Sequence, residues 1–234
     1  MDQPRDGDHL FDALIGEVDQ LIVDSDAYTN QIDGLLGLNQ FAESRPGDLA
    51  WERLLPWRRH LAQVWDNAEV RESLDYIRTL DVMVNASGDF MNTGRALLLV
   101  GWLADRLGWQ FESVAKGPTG GYTIYWQQGL WSGKVEVCEC SYNSLPLGEI
   151  ACVFIQAGDK PPFVMPRVEL SLDGRCFDCR TNDASPSALR YHIDYHPVGA
   201  AAALTRLLDR PGDPLYRGAL NNVSTILTMA ESQV

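Results

Sequence analysis

Gly94–Trp109, GRALLLVGWLADRLGW, is the longest strongly patterned run in the chain. Ala96, Leu99, Val100, Leu103 and Leu107 recur at helical spacing and share one face. Leu98, Trp102 and Trp109 lie opposite, so the helix is apolar nearly all round until Asp105 and Arg106. A helix of that kind is buried rather than laid on a surface. Thr93 is expected to supply a capping oxygen at its start and Gly108 the left-handed residue at its end. Gly101 sits mid-helix at a cost of about 1 kcal/mol relative to Ala, which close packing against another element would rationalise. The run is too short, and too near Arg95, Asp105 and Arg106, to span a membrane.

Upstream, Leu10, Phe11, Leu14, Ile15, Val18, Leu21 and Ile22 trace a helical stripe. Ile32, Leu35, Leu36, Leu38 and Phe41 suggest a weaker helix, loosened by Gly34 and Gly37. Asp48 opens the next helix as an N-cap, with Trp51, Leu54, Leu61 and Trp65 along one side and Arg58 interrupting them. Pro56 should kink that helix or reset its start. Asn67 restarts another helix, with Leu74 and Ile77 facing inward, and Leu80–Asn85 reads as a strand.

Downstream the period becomes alternating. Tyr122–Trp126, Lys134–Cys140, Glu149–Gln156, Val164–Leu172, Arg175–Thr181 and Leu189–Tyr195 all read as strands. Asp173-Gly174 is a tight-hairpin signal between two of them. Ala203, Leu204, Leu207 and Leu208 form an apolar stripe on a closing helix. Asp213-Pro214 caps the last one, where Leu215, Ala219, Val223, Ile226 and Ala230 keep helical spacing. The fold class is therefore α+β: N-terminal helices, a buried central helix, a mostly antiparallel sheet of about six or seven strands, and C-terminal helices. Residues 1–7 are expected to be a disordered tail and 8–234 one α+β domain, with a helical part 8–108, a strand-rich part 109–197 and closing helices 198–232.

The net charge of −13 repels phosphate backbones, which argues against a nucleic-acid partner. No basic, apolar leader opens the chain and no apolar run reaches membrane length, so a cytoplasmic location without membrane attachment is expected. Five cysteines make an odd count, and reduced thiols are the simplest reading.

Four constellations invite chemistry. Cys176 and Cys179 have C-x-x-C spacing, with Cys138 and Cys140 able to add two sulfurs for zinc or a redox pair. An offset of three, however, puts Cys176 and Cys179 on opposite faces of a strand. No metal site or cofactor is expected. His192 and His196 stand roughly 13 Å apart on one strand face, too far to share a ligand. Tyr122, Tyr125, Trp126 and Trp131 cluster on one hairpin, to stack on a sugar or partner or to fill the core. Trp51, Arg53, Trp57, Arg58 and Arg59 combine the residue types most enriched in binding hot spots, and a helix offering both on its outer side would be a docking face. Against that, the tryptophans could be core and the arginines paired with carboxylates. No phosphate loop and no nucleophile–base motif is present.

Two segments carry a family resemblance. Asp48–Arg58 reads D-L-x-W-x-R-L-x-P-W-R, and Leu98–Trp109 reads L-x-x-G-W-L-A-x-R-L-x-W. Both resemble motifs of the glucose-6-phosphate dehydrogenase assembly protein (OpcA) family, in the same order, and Asp213–Leu227 is similar to its C-terminal helix. The resemblance runs from roughly Leu10 to the last helix and implies that family's C-terminal region without its usual N-terminal domain. It further implies a non-catalytic protein that binds the glucose-6-phosphate dehydrogenase oligomer and shifts it toward better substrate affinity, with the Asp48–Arg59 helix as part of the interface. The rivals are a carbohydrate- or sugar-phosphate-binding module using the aromatic hairpin, a diverged scaffold with another partner, and an enzyme with dispersed catalytic residues.

Overall fold

The computed structural model of the chain describes residues 17–28, 30–41, 45–66, 71–86, 92–117, 119–142, 144–160, 163–180 and 190–232. The expected tail 1–7 and most of the Leu10–Ile22 stripe lie outside them. The end of that stripe is not helical: β1 (Ile22–Val23) pairs in parallel with β2 (Gly47–Asp48). Between them, a 3₁₀ turn (Ser25–Ala27) precedes α1 (Gln31–Asn39).

Pro56 does reset the third helical segment. α2 (Leu49–Arg53) ends at Leu54, and α3 (Leu55–Val64) restarts with Pro56 in its first turn, where a missing donor costs nothing. Position 67, where a further helix was expected to restart, is outside the described residues. Leu74 lies in a 3₁₀ turn, and Ile77 already begins β3 (Ile77–Asn85).

The central helix is α4 (Gly94–Leu107), and its residues from Ala96 to Gly101 are all buried. Gly108 closes it with φ 69°, as the chain requires of a left-handed C-terminal residue. Thr93, by contrast, is not the expected cap, because its side chain makes no capping bond. The Gly94 N–H instead donates to Gln31 Oε1 at 3.1 Å, from α1, and to Asn92 Oδ1. Gly101 explains itself: a Cβ there would collide with the Ala219 carbonyl oxygen of α6 (Pro214–Glu231), and Asn222 Nδ2 donates to the Gly101 carbonyl at 3.1 Å. The two longest helices thus touch backbone to backbone.

The sheet has eight strands. β4 (Gln110–Lys116), β5 (Tyr122–Gln128), β6 (Trp131–Cys140), β7 (Ile150–Ala157), β8 (Arg167–Leu170), β9 (Cys176–Arg180) and β10 (Arg190–Asp194) join β3 in the order β10-β9-β8-β7-β3-β6-β5-β4. Every pairing is antiparallel except β3 with β6. β4 was not legible as a strand: it is an edge with only Val114 buried, and a bulge between Phe111 and Ser113 breaks its alternation. Leu80, Val82, Val135, Val153, Ile155, Val168 and Phe177 are buried on one face, against the helices. The opposite face carries Asp81, Lys134, Glu136, Arg167, Glu169 and Asp178, the polar half that an antiparallel sheet tolerates. α5 (Ala200–Asp209) buries Ala203 and Leu207 but exposes Leu204 and Leu208, so the expected four-residue stripe is two residues wide.

Candidate functional site

The elbow between α2 and α3 is built on Asp48. Its fully buried carboxylate caps α2 by accepting from Ala50 N at 2.9 Å. It also accepts from Ser25 N (3.0 Å) and Ser25 Oγ (2.6 Å), which locks the 3₁₀ turn onto the elbow, and from the Tyr216 hydroxyl (3.4 Å). Burial nevertheless outweighs these hydrogen bonds and pushes the Asp48 carboxyl up to about 6.

The tryptophans of the elbow are core residues, which corrects the outward-facing placement. Trp51 is fully buried, donates Nε1 to Asp213 Oδ2 at 2.8 Å and packs on Tyr216 at 5.7 Å between ring centroids. Trp57 is buried edge-on against Phe177 of β9, at 4.8 Å. Leaving either ring exposed would forfeit about 2–3 kcal/mol of burial.

The arginines divide. Arg53 points at the 3₁₀ turn, where it meets Asp24 at 2.6 Å and Asp26 at 2.8 Å. Asp26 also pairs with Arg95, which reaches Glu149 at 3.0 Å. Arg53 is therefore a structural residue. Arg58 turns the other way: its guanidinium lies 3.6 Å above the Trp51 ring and donates Nη2 to the Trp51 carbonyl at 3.2 Å. It is only 7% exposed, forms no ion pair among the described residues, and its Nε has no partner. Burial lowers its pKa to about 10.

Arg58 lines a cleft of about 760 Å³ where the elbow meets the turn from α5 to α6. Arg59, Arg206 and Arg210 stand around it, with Glu52, Asp209 and Asp213. Arg59, Arg206 and Arg210 are exposed and make no ion pair among the described residues. Asp213 is already engaged, through Trp51 and through the Leu215 N–H that it caps at 2.9 Å. Burial raises the pKa of Glu52. In a chain of 19 basic against 32 acidic residues, four guanidiniums against three carboxylates is a local inversion of charge. Sequence reasoning missed Glu52, Arg206, Arg210 and Asp213 as site residues. The available signal was Arg206 and Arg210 four apart, ahead of Pro211-Gly212-Asp213-Pro214.

The other constellations are dispersed. Tyr122 and Trp126 face the helices, where Trp126 stacks on Trp109 at 4.3 Å, while Tyr125 is exposed on the opposite face. Trp131 packs on Tyr76 at 4.9 Å. The hairpin presents no joint aromatic platform. Cys179 is buried toward the core and Cys176 faces the other side, as the strand offset requires. All five thiols are free, and burial pushes Cys140 and Cys179 to about 11 and Cys152 to about 12, which opposes thiolate chemistry. His192 and His196 are exposed. Among the described residues no His, Cys, Asp or Glu cluster is placed to hold a metal ion, and no helix is long and apolar enough to cross a membrane.

Residues 45–140, which include the elbow and α4, match the family described as the C-terminal domain of a glucose-6-phosphate dehydrogenase subunit. The chain is 33% identical over 149 residues to the OxPP cycle protein OpcA of Synechocystis sp., covering 60% of this chain and 29% of that protein. It is 34% identical over 123 residues to the OpcA of Nostoc punctiforme, covering 52% and 25%. It thus spans less than a third of the length of these curated relatives. Among solved structures, KijD10, a 3-ketoreductase from Actinomadura kijaniata, superposes with a TM-score of 0.53 at 9% identity, over 91% of this chain and 69% of that one. At that identity the likeness is one of fold alone.

Proposed function

We propose that this chain, similar to OpcA proteins over part of its length, is a member of that family and associates with glucose-6-phosphate dehydrogenase in the oxidative pentose phosphate cycle. It acts there as a non-catalytic cytoplasmic protein that promotes assembly and activation of the enzyme, with residues 8–234 working as one α+β domain. The observation that carries this reading is the elbow itself. The D-L-x-W-x-R-L-x-P-W-R segment lies inside the matched span and leaves Arg59 exposed and unpaired among the described residues. Arg206 and Arg210 line the same cleft. Cationic side chains on an acidic protein steer an acidic surface of a partner into register. Activation follows if the enzyme's high-affinity state binds this chain more tightly, and a coupling of about 1–3 kcal/mol gives a several-fold effect.

Co-purification of the chain with glucose-6-phosphate dehydrogenase tests this directly. A saturating amount of the chain should lower the enzyme's KM for glucose 6-phosphate several-fold. Arg59→Glu should weaken association at least about tenfold, through like-charge repulsion at the contact, without disturbing the fold. Arg58→Glu is the wrong probe, since it would place a second acid in the buried space beside Glu52. Failure to co-purify, or an unchanged KM, would reject the reading.

A further inference from the structure

A guanidinium more than nine-tenths buried and without an ion pair among the described residues is an unusual thing for a fold to keep. Its cation is left to the Trp51 ring and one carbonyl, with the Nε hydrogen unclaimed. The cleft that it lines is of small-molecule size, about 760 Å³ against the few hundred to a thousand typical of such sites. Three further guanidiniums border it, and Pro214 and Leu215 at the start of the 18-residue α6, whose N-terminus Asp213 already caps, complete its lining. Arg206 and Arg210, one helical turn apart, flank the opening.

From this arrangement we infer that the cleft between the elbow and the α5–α6 turn is a binding site for a small phosphate monoester. A tetrahedral dianion takes paired hydrogen bonds from planar guanidiniums, so one phosphoryl group can engage Arg58 at the floor and Arg206 and Arg210 at the rim together. The three carboxylates temper the site. Asp213 is held by Trp51 and the α6 cap, Glu52 is a buried acid with a raised pKa, and Asp209 sits at the rim, where the esterified group's hydroxyls would meet it. A recessed floor favours a compact ligand that enters the cleft over a flat macromolecular surface. The inference goes beyond the partner reading and does not depend on it, because it concerns the chain by itself.

Isothermal titration of the chain alone, at low ionic strength and with no dehydrogenase present, is the test. Glucose 6-phosphate and inorganic phosphate should both bind one to one, with Kd between about 10 μM and 1 mM. Binding should weaken as salt is raised. The exposed double variant Arg206→Gln/Arg210→Gln should weaken it at least about tenfold, and so should Arg58→Met once thermal melting shows that it folds. Absence of binding up to about 10 mM, glucose binding as well as glucose 6-phosphate, or affinity unchanged in the double variant would overturn the site. Tighter binding of a short polyglutamate peptide than of either phosphate would overturn it in favour of an acidic segment of a partner. Because co-purification is measured without added phosphate and the titration without enzyme, the two proposals fail separately.

Discussion

Arg53 and Arg58 sit five residues apart on one elbow and have opposite fates. Arg53 is held by two carboxylates of the 3₁₀ turn, and Arg95 extends that network to Glu149. Arg58 is more deeply buried, yet among the described residues it makes no ion pair and rests on an aromatic ring and a carbonyl. One cation holds the fold together, while the other lines a cleft. What separates them is the set of groups that the rest of the chain brings up on each side.

The comparison can be broken at its hinge. Asp48 anchors Ser25, and through it the turn that carries Asp24 and Asp26 to Arg53. Asp48→Ala removes the α2 cap and strands two buried N–H groups, so it should cost about 3–4 kcal/mol in chemical denaturation and loosen the Arg53 side first. Titration of the same residue gives the next largest effect. Burial raises its carboxyl from 3.8 to about 6, so the folded chain keeps a proton there that the unfolded chain releases. This contribution to stability is full below pH ~4 and is lost as the pH rises through about 6, by at most roughly 3 kcal/mol. Asp48→Asn should flatten that slope in a series of denaturation curves, and a slope that persists in the variant would locate it elsewhere.

The remaining two tests sharpen the contrast between the arginines. Arg53→Met takes the guanidinium away from Asp24 and leaves Asp26 with Arg95 alone, and should destabilise by about 2 kcal/mol, less at high salt, since the pair is partly solvated. Arg58→Met keeps the stem over Trp51 and removes a charge that makes no ion pair among the described residues, Glu52 and Asp213 acting on it only at longer range. Lost cation–π attraction and relieved desolvation oppose one another there, so stability should stay within about 1 kcal/mol of the parent. Equal costs for the two variants would erase the distinction between a structural and an available arginine.

Much of the fold was legible because its signals are local. The all-round apolar character of Gly94–Trp109 announced a buried helix, Gly101 a close approach and Gly108 a left-handed end, and each is realised at that residue. Asp173-Gly174 turns the β8–β9 hairpin with Gly174 at φ 68°. Illegible features depended on remote partners. The start of α4 is capped by Gln31 from another helix, so the Thr93 pattern misled. Leu208 has the same local signature as Leu207 and is nevertheless exposed. Of the five elbow residues singled out, Arg58 and Arg59 line the cleft, and the tryptophans that drew attention to the segment are core.

By itself, then, the sequence determined the α+β class, the central helix and the breaks between elements, because periodicity, caps and turn residues act over neighbouring positions. Only the tertiary structure decided which arginine is compensated and which is not. That depends on Asp213 meeting Trp51 across 162 positions, and on an α5–α6 turn closing over an elbow formed far earlier in the chain. Charge compensation is set by distance in space, and residue order carries no record of that distance until the chain has folded.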